Sequence, residues 1–356
     1  MAVSLLTYTN DKVFSFDLGD YTISGLTADT AYTIYVEFLI PVPHIILTLN
    51  LASNSSGFLT IYNLHEVVEN VFRRTAYASG QFRITVGDDS YTFRVYYCSH
   101  KRFSDLSDFV EYNFALTKRF FTLPVDGYFQ ITLLDSDTAD VRATYLDLDS
   151  GEVATSTHTL SSSARTHFNI SPSVISGILT ADNINHQLLS YSVYSGTHSV
   201  TLYVHPEQAT HKLLFLNNFN AWQCLNLVAA SKRSVDKSKS EAVCNGITSY
   251  YDVSDKYQLT INAFIPHYLN EEVDELLQSL DVRLIPSGLV VNAAGIVSAD
   301  SCPKVLIASH TWDYSDEDGD AQTLEMKLEF ADPRESDKAL IGTDGIFTTP
   351  YNEAYS

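Results

Sequence analysis

Residues 242–266 read as almost unbroken β-strand, and this run constrains the fold more than any other segment. A strand carries hydrogen-bonding groups along both edges, so a run of that length belongs to a sheet. Before it, 213–219 and 221–230 are apolar, and the polar residues 231–241 read as a loop. After it, 270–280 has helical periodicity. Val273, Leu276, Leu277 and Leu280 share one stripe, Asn270 stands at the cap, and the acids of the first turn favour the helix dipole. Strand patterns follow at 282–285, 289–292 and 305–309, and 312–314 pairs with 324–330 across the acidic turn 316–320. Residues 206–335 are therefore expected to form a β-sandwich with one packed helix, and 336–356 a polar C-terminal arm.

The rest of the chain has the same strand-rich character. In 1–118, strand patterns at 13–18, 32–39, 45–51, 58–62, 82–86 and 91–97 surround one helical patch, 64–73. That patch sets Leu64, Val67, Val68, Val71 and Phe72 on one face, and Gly87-Asp88-Asp89 supplies a hairpin turn. Residues 99–118 read as a connector within this first sandwich. Residues 119–205 read purely as strand and turn, about seven strands in an immunoglobulin-like or fibronectin-like sandwich. The expected fold class is mainly β, with tandem β-sandwich domains.

Composition narrows the function. With 45% hydrophobic and 18% charged residues, the chain can bury enough surface to order itself. A net charge of −21 argues against gripping nucleic acid through counterion release, though an acidic wall is compatible with DNA sliding past it. Cys98, Cys224, Cys244 and Cys302 show no C-x-x-C spacing and read as buried thiols, with one Cys224–Cys244 bridge left open. The first residues lack a signal-peptide pattern, and 38–51, the most apolar stretch, carries two prolines and His44, so no membrane span is expected.

No pattern of catalytic or metal chemistry emerges. The turn 316–320 imitates a calcium loop around Gly319, but Tyr314 stands where the first carboxylate belongs. The eleven histidines form neither H-E-x-x-H nor H-x-H, although His158 and His167 could meet across a hairpin. There is no G-x-S-x-G and no phosphate loop, and the pairs Asp135/Asp137 and Asp147/Asp149 sit at turns. No cofactor, metal or catalytic residue is assigned. The basic cluster Lys232, Arg233, Lys237 and Lys239 is the candidate assembly contact, able to meet an acidic neighbouring copy. The alternative is a surface-glycan or receptor-binding module with Trp222 and Trp312, and beside them Tyr250 and Tyr251, as sugar platforms.

Several stretches carry a resemblance. They are Gly57-Phe58-Leu59-Thr60-Ile61-Tyr62-Asn63-Leu64 before the first helix, then Phe82-Arg83-Ile84-Thr85-Val86-Gly87 and Thr92-Phe93-Arg94-Val95-Tyr96-Tyr97-Cys98-Ser99. Near the end they are Leu213-Leu214-Phe215-Leu216-Asn217-Asn218-Phe219, the run Leu306-Ile307-Ala308-Ser309-His310-Thr311-Trp312-Asp313-Tyr314-Ser315-Asp316-Glu317, and Leu324-Glu325-Met326-Lys327-Leu328-Glu329-Phe330-Ala331-Asp332. In these the chain resembles structural tail or baseplate proteins, distal-tail-like, of tailed bacteriophages or prophages of gut Bacteroidales. The resemblance implies a tail-tube-like C-terminal sandwich and a non-enzymatic virion protein made in the host cytoplasm. It further implies a homo-oligomeric ring that mounts other tail or adhesion proteins.

Overall fold

The computed structural model describes residues 4–5, 11–40, 43–75, 77–99, 113–134, 137–161, 167–244, 247–286, 295–312 and 321–332. The expected strand at 289–292, the acidic turn 316–320 and the arm 336–356 lie outside them. The fold is mainly β, in sheets that build tandem sandwich-like layers around three successive cores, at residues 13–97, 114–202 and 213–328.

The first unit contains β1 (Ser4–Leu5), β2 (Lys12–Phe14), β3 (Tyr21–Ser24), β4 (Ala31–Ile40), β5 (His44–Ala52), β6 (Leu59–Ile61), α1 (Leu64–Thr75), β7 (Ser79–Val86) and β8 (Asp89–Tyr96). A five-stranded sheet, β2-β8-β7-β4-β5, faces the small sheet β1-β3-β6. Strict alternation along β7 sends Phe82, Ile84 and Val86 inward. Helix α1 buries Leu64, Val68, Val71 and Phe72, and the Phe72 ring meets that of Phe82 at 5.7 Å between centroids.

The second unit contains β9 (Phe120–Pro124), β10 (Gln130–Thr132), β11 (Thr138–Asp147), β12 (Val153–Ser161), β13 (His167–Asn169), α2 (Pro172–Ala181), β14 (His186–Ser195) and β15 (His198–His205). The order β12-β11-β14-β15-β9 makes one sheet, with β9 parallel to β15, and β10-β13 pair separately. This unit is not purely strand and turn, because α2 packs Ile175 and Leu179 into its core. Pro172 at the first helical turn fixes φ where no N–H partner is needed. Phe114 and Leu116 also belong to this core, ahead of the expected boundary at 118.

The third unit contains β16 (His211–Leu216), β17 (Trp222–Leu227), β18 (Ala229–Cys244), β19 (Ile247–Pro266), α3 (Asn270–Gln278), β20 (Val282–Leu284), β21 (Lys304–Trp312) and β22 (Ala321–Phe330). All seven strands pair in one sheet, β17-β16-β20-β21-β22-β19-β18. Leu225 and Leu227 of the edge strand β17 share a core with Leu259 and Ile261 of β19, so the sheet folds over on itself around Val273 and Leu276 of α3. Helix α3 departs from expectation at both ends. A 3-10 turn at His267–Leu269 leads into it, so Leu269 rather than Asn270 is the cap, and Leu280 lies beyond its end and exposed.

The tip between β16 and β17 joins the units. Asn217 Oδ1 accepts the backbone N–H of Phe219 (3.0 Å) and Ala221 (3.1 Å), while its Nδ2 donates to the Ala115 carbonyl (2.8 Å). Asn218 Nδ2 donates to Glu275 Oε1 (2.8 Å), and its Oδ1 accepts Ser99 Oγ (2.9 Å). Asn220, held at φ 53°, donates to the carbonyls of Phe72 and Tyr77. Phe219 packs with Phe14, Tyr96 and Cys98 of the first unit and with Ala115 and Leu134 of the second. A second seam pairs the Tyr128 N–H with Asn226 Oδ1 (2.8 Å) and Asn226 Nδ2 with the Tyr128 carbonyl (2.9 Å). No described helix is long and apolar enough to cross a membrane.

Candidate functional site

The basic segment is strand, not loop. Residues of β18 pair antiparallel with β19 from Ala229↔Ala263 to Cys244↔Ile247. The strand expected at 242–266 therefore divides at this hairpin end, and β18 takes its first residues. Strand β22 covers β19 only from Pro266 to Gln258. Past Gln258, β18 is the only strand paired with β19 among the described residues, and the two run on as a free ribbon. From Val235 to Cys244 the ribbon extends roughly 30 Å at ~3.3 Å per residue. On β18 every residue from Ser231 to Lys239 except Ser234 is exposed, so no apolar alternation is required of that strand, and backbone pairing holds its polar residues in strand geometry.

The four sequence-predicted cations all lie on this ribbon or at its root, and all are exposed. Alternation puts Arg233, Val235, Lys237 and Lys239 on one face and Lys232 with Asp236 on the other. Asp236 stands opposite Lys256, a placement in which opposite charges steady a hairpin. Val235, 43% exposed, is an apolar residue set among these charges. At the root, burial and then the positive field of Arg233 lower the pKa of His211. Burial also lowers that of Arg233 itself.

The expected aromatic platforms are packed. Trp222 is half-buried beside the cluster of Tyr128, Leu214 and Cys224, with the Arg283 guanidinium 5.8 Å from its ring centre. Trp312, also half-buried, packs against the third core opposite Leu324. Tyr250 and Tyr251 lie on the outer part of β19, where the side chains fall outside the described residues.

The inward face of α3 is engaged within the chain. Glu272 Oε2 takes Lys118 Nζ at 2.7 Å, and Glu275 Oε1 accepts both Thr117 Oγ1 (2.9 Å) and Asn218 Nδ2. Burial raises the pKa of Glu272 in spite of Lys118. A cavity of about 300 Å³ lies beside this seam, lined by Arg73, Tyr97 and the tip asparagines, whose amides already serve the junction.

Among the described residues, the groupings that could have carried catalysis do not have its geometry. Ser156 Oγ (2.8 Å) and Asp182 Oδ2 (3.6 Å) both approach Nε2 of His158, whereas a Ser-His-Asp relay needs the two ring nitrogens on different partners. His158 and His167 do not meet across a hairpin; they sit in different sheets, and His167 Nδ1 bonds Thr132 at 2.8 Å. Asp147 Oδ1 accepts the N–H groups of Asp149 and Ser150, which hold its pKa low and make it a turn residue. Cys98, Cys224 and Cys302 are buried and in no disulfide, so Cys224 is not bridged, and the Cys244 side chain lies outside the described residues. Burial pushes the Cys224 thiol up, and Cys302 to about 11, so both are protonated and poor nucleophiles. No group of three metal-ligating residues occurs among the described residues.

Comparison with known proteins finds no matching family model and no matching curated protein. Among solved structures, the calcium-binding domain CBD12 of CALX1.1 is 11% identical, covering 55% of this chain and 79% of that one, at a TM-score of 0.17. Domains 4–9 of the surface layer protein SbsC are 11% identical, covering 80% of this chain and 46% of that one, at a TM-score of 0.15. At these scores neither likeness bears on function.

Proposed function

We propose that this chain is a non-enzymatic assembly subunit that associates with copies of itself through the β18–β19 ribbon. The observation that carries the reading is the ribbon's outer half, where β18 and β19 form strand pairs only with each other among the described residues. An isolated two-stranded hairpin is marginally stable in water, and open strand edges are templates for pairing with another chain. Three cations on one face of the ribbon, in a chain of net charge −21, give it complementarity to its own copies. Repeated head-to-tail contacts of this kind close rings.

The resemblance gives the reading its setting: a tail or baseplate-hub component of a tailed phage, made in the host cytoplasm and built into the virion. In that setting the ring-forming unit is the third one, and the two preceding sandwiches carry other tail or adhesion proteins. The test is a ribbon-shortened variant in which an Asn-Gly turn joins Ser234 directly to Gln258. It is expected to fold with an unchanged thermal midpoint and to sediment as a smaller species than the full chain. Sedimentation identical to the full chain removes the ribbon from assembly.

A further inference from the structure

The outer face of the first unit's five-stranded sheet holds a cavity of about 350 Å³, bordered by Tyr35, Glu37, Ile45, Arg83, Thr85 and Ser90, with Asp88 at its end. That volume is at the small end of the ~300–1,000 Å³ of ligand pockets. Strand alternation builds it: Val36, Phe38, Phe82 and Ile84 point to the core, so Tyr35, Glu37, Arg83 and Thr85 point out. Glu37 and Arg83 are directly opposite across β4 and β7.

Their pairing is bidentate, Nε to Oε2 at 2.7 Å and Nη2 to Oε1 at 3.0 Å. The Arg83 hydrogen bonds hold the Glu37 carboxyl below its ordinary pKa. Two of the five guanidinium N–H groups are spent on this pair, and Glu37 Oε2 also accepts the Thr85 hydroxyl at 3.5 Å, which leaves about one of a carboxylate's roughly four acceptor sites. The locked fork therefore still offers donors and an acceptor side by side, with no further ordering to be done on binding. Next to it stand the exposed Tyr35 ring and the Ile45 side chain, 38% and 54% exposed.

We propose that this cavity binds one neutral pyranose residue of a glycan. Its C–H face lies on Tyr35 and Ile45, its hydroxyls donate to Glu37 and Asp88, and they accept from Arg83. A polyol matches donors and acceptors alternating at this spacing. An anionic sugar is disfavoured, because Glu37 and Arg83 already balance and Asp88 leaves the cavity negative. A cationic ligand has to compete with Arg83 for Glu37. The proposal is independent of assembly, since none of these residues lies in the third unit.

The full chain is tested by saturation-transfer NMR against the methyl glycosides of glucose, galactose, mannose and N-acetylglucosamine, with N-acetylneuraminic acid as the anionic control. Transfer to at least one neutral glycoside is expected, at a millimolar dissociation constant. Affinity falls more than tenfold in Tyr35→Ala, which loses the ring, and in Arg83→Lys, which loses the fork. Tyr35→Phe keeps the ring and binds within about threefold of the parent, separating the platform from any effect on folding. The proposal is overturned by the absence of transfer to every neutral glycoside. It is equally overturned by transfer that survives both Tyr35→Ala and Arg83→Lys, or by equal transfer to the anionic sugar.

Discussion

Two hairpins occupy opposite edges of the same seven-stranded sheet, and they meet opposite fates. The β16–β17 hairpin ends in three buried asparagines and Phe219, all bonded or packed against the first two units. The β18–β19 ribbon is long and charged, exposed along β18 from Val235 to Lys239, and beyond Gln258 its strands pair only with each other among the described residues. The buried tip is Asn217-Asn218-Phe219-Asn220 and the exposed ribbon carries Ser, Lys and Asp from Ser231 to Ser240, so polarity does not decide which hairpin is buried. What differs is chemistry: amides satisfy buried backbone groups at no charge cost, whereas lysines need water or an opposite charge. One edge is thus consumed inside the chain, and the other is the edge that the proposed assembly uses.

The sharpest way to break this contrast is at the buried tip. Phe219→Ala opens a cavity where three units meet and is expected to cost about 3–5 kcal/mol in urea unfolding. A loss near zero would show that the junction does not hold the units together. Asn217→Ala comes next, at about 2 kcal/mol, because the Phe219 and Ala221 N–H groups and the Ala115 carbonyl lose their partner.

A subtler effect is expected at the seam beside the tip. Because burial raises the Glu272 pKa, the folded chain holds that proton more tightly than the unfolded chain does. The resulting stability is fully present below the ordinary glutamate value and is lost as pH rises through the folded-state value. The stability difference between the native chain and Glu272→Gln should therefore shrink as pH rises from 4 through that window. A difference that grows with pH contradicts the burial account.

The smallest effect on stability is expected on the ribbon. Lys237→Glu and Lys239→Glu together should leave the unfolding free energy within about 0.5 kcal/mol. They should nonetheless abolish the salt sensitivity of association, read by sedimentation in low and high salt. A large loss of stability instead would mark these cations as structural.

The sequence revealed more of the strands than of their company. Strand β7 and helix α1 were legible because their alternation and 3.6-residue stripe coincide with what the core buries. Helix α2 was hidden by Val174, Ile175 and Ile178, β-branched residues that imitate a strand, although Ser171-Pro172 with Ile175 and Leu179 four apart carried a helical signal. Strand β18 was hidden because Ser, Lys and Asp have turn-like composition, and only its register with β19 makes it strand. The four cations were visible as a cluster, but not the face three of them share, which depends on that register. The Tyr35–Glu37–Arg83 cavity left no local signal, since its residues come together only when β4 pairs with β7. The burial of Asn217, Asn218 and Asn220 likewise depends on two other units arriving.

Light scattering of the purified full chain, at low and at high salt, tests the central claim most directly. The account predicts a closed oligomer at low salt whose mass falls as salt rises, because charges on the exposed ribbon are screened. A strict monomer at high protein concentration in both conditions would contradict it.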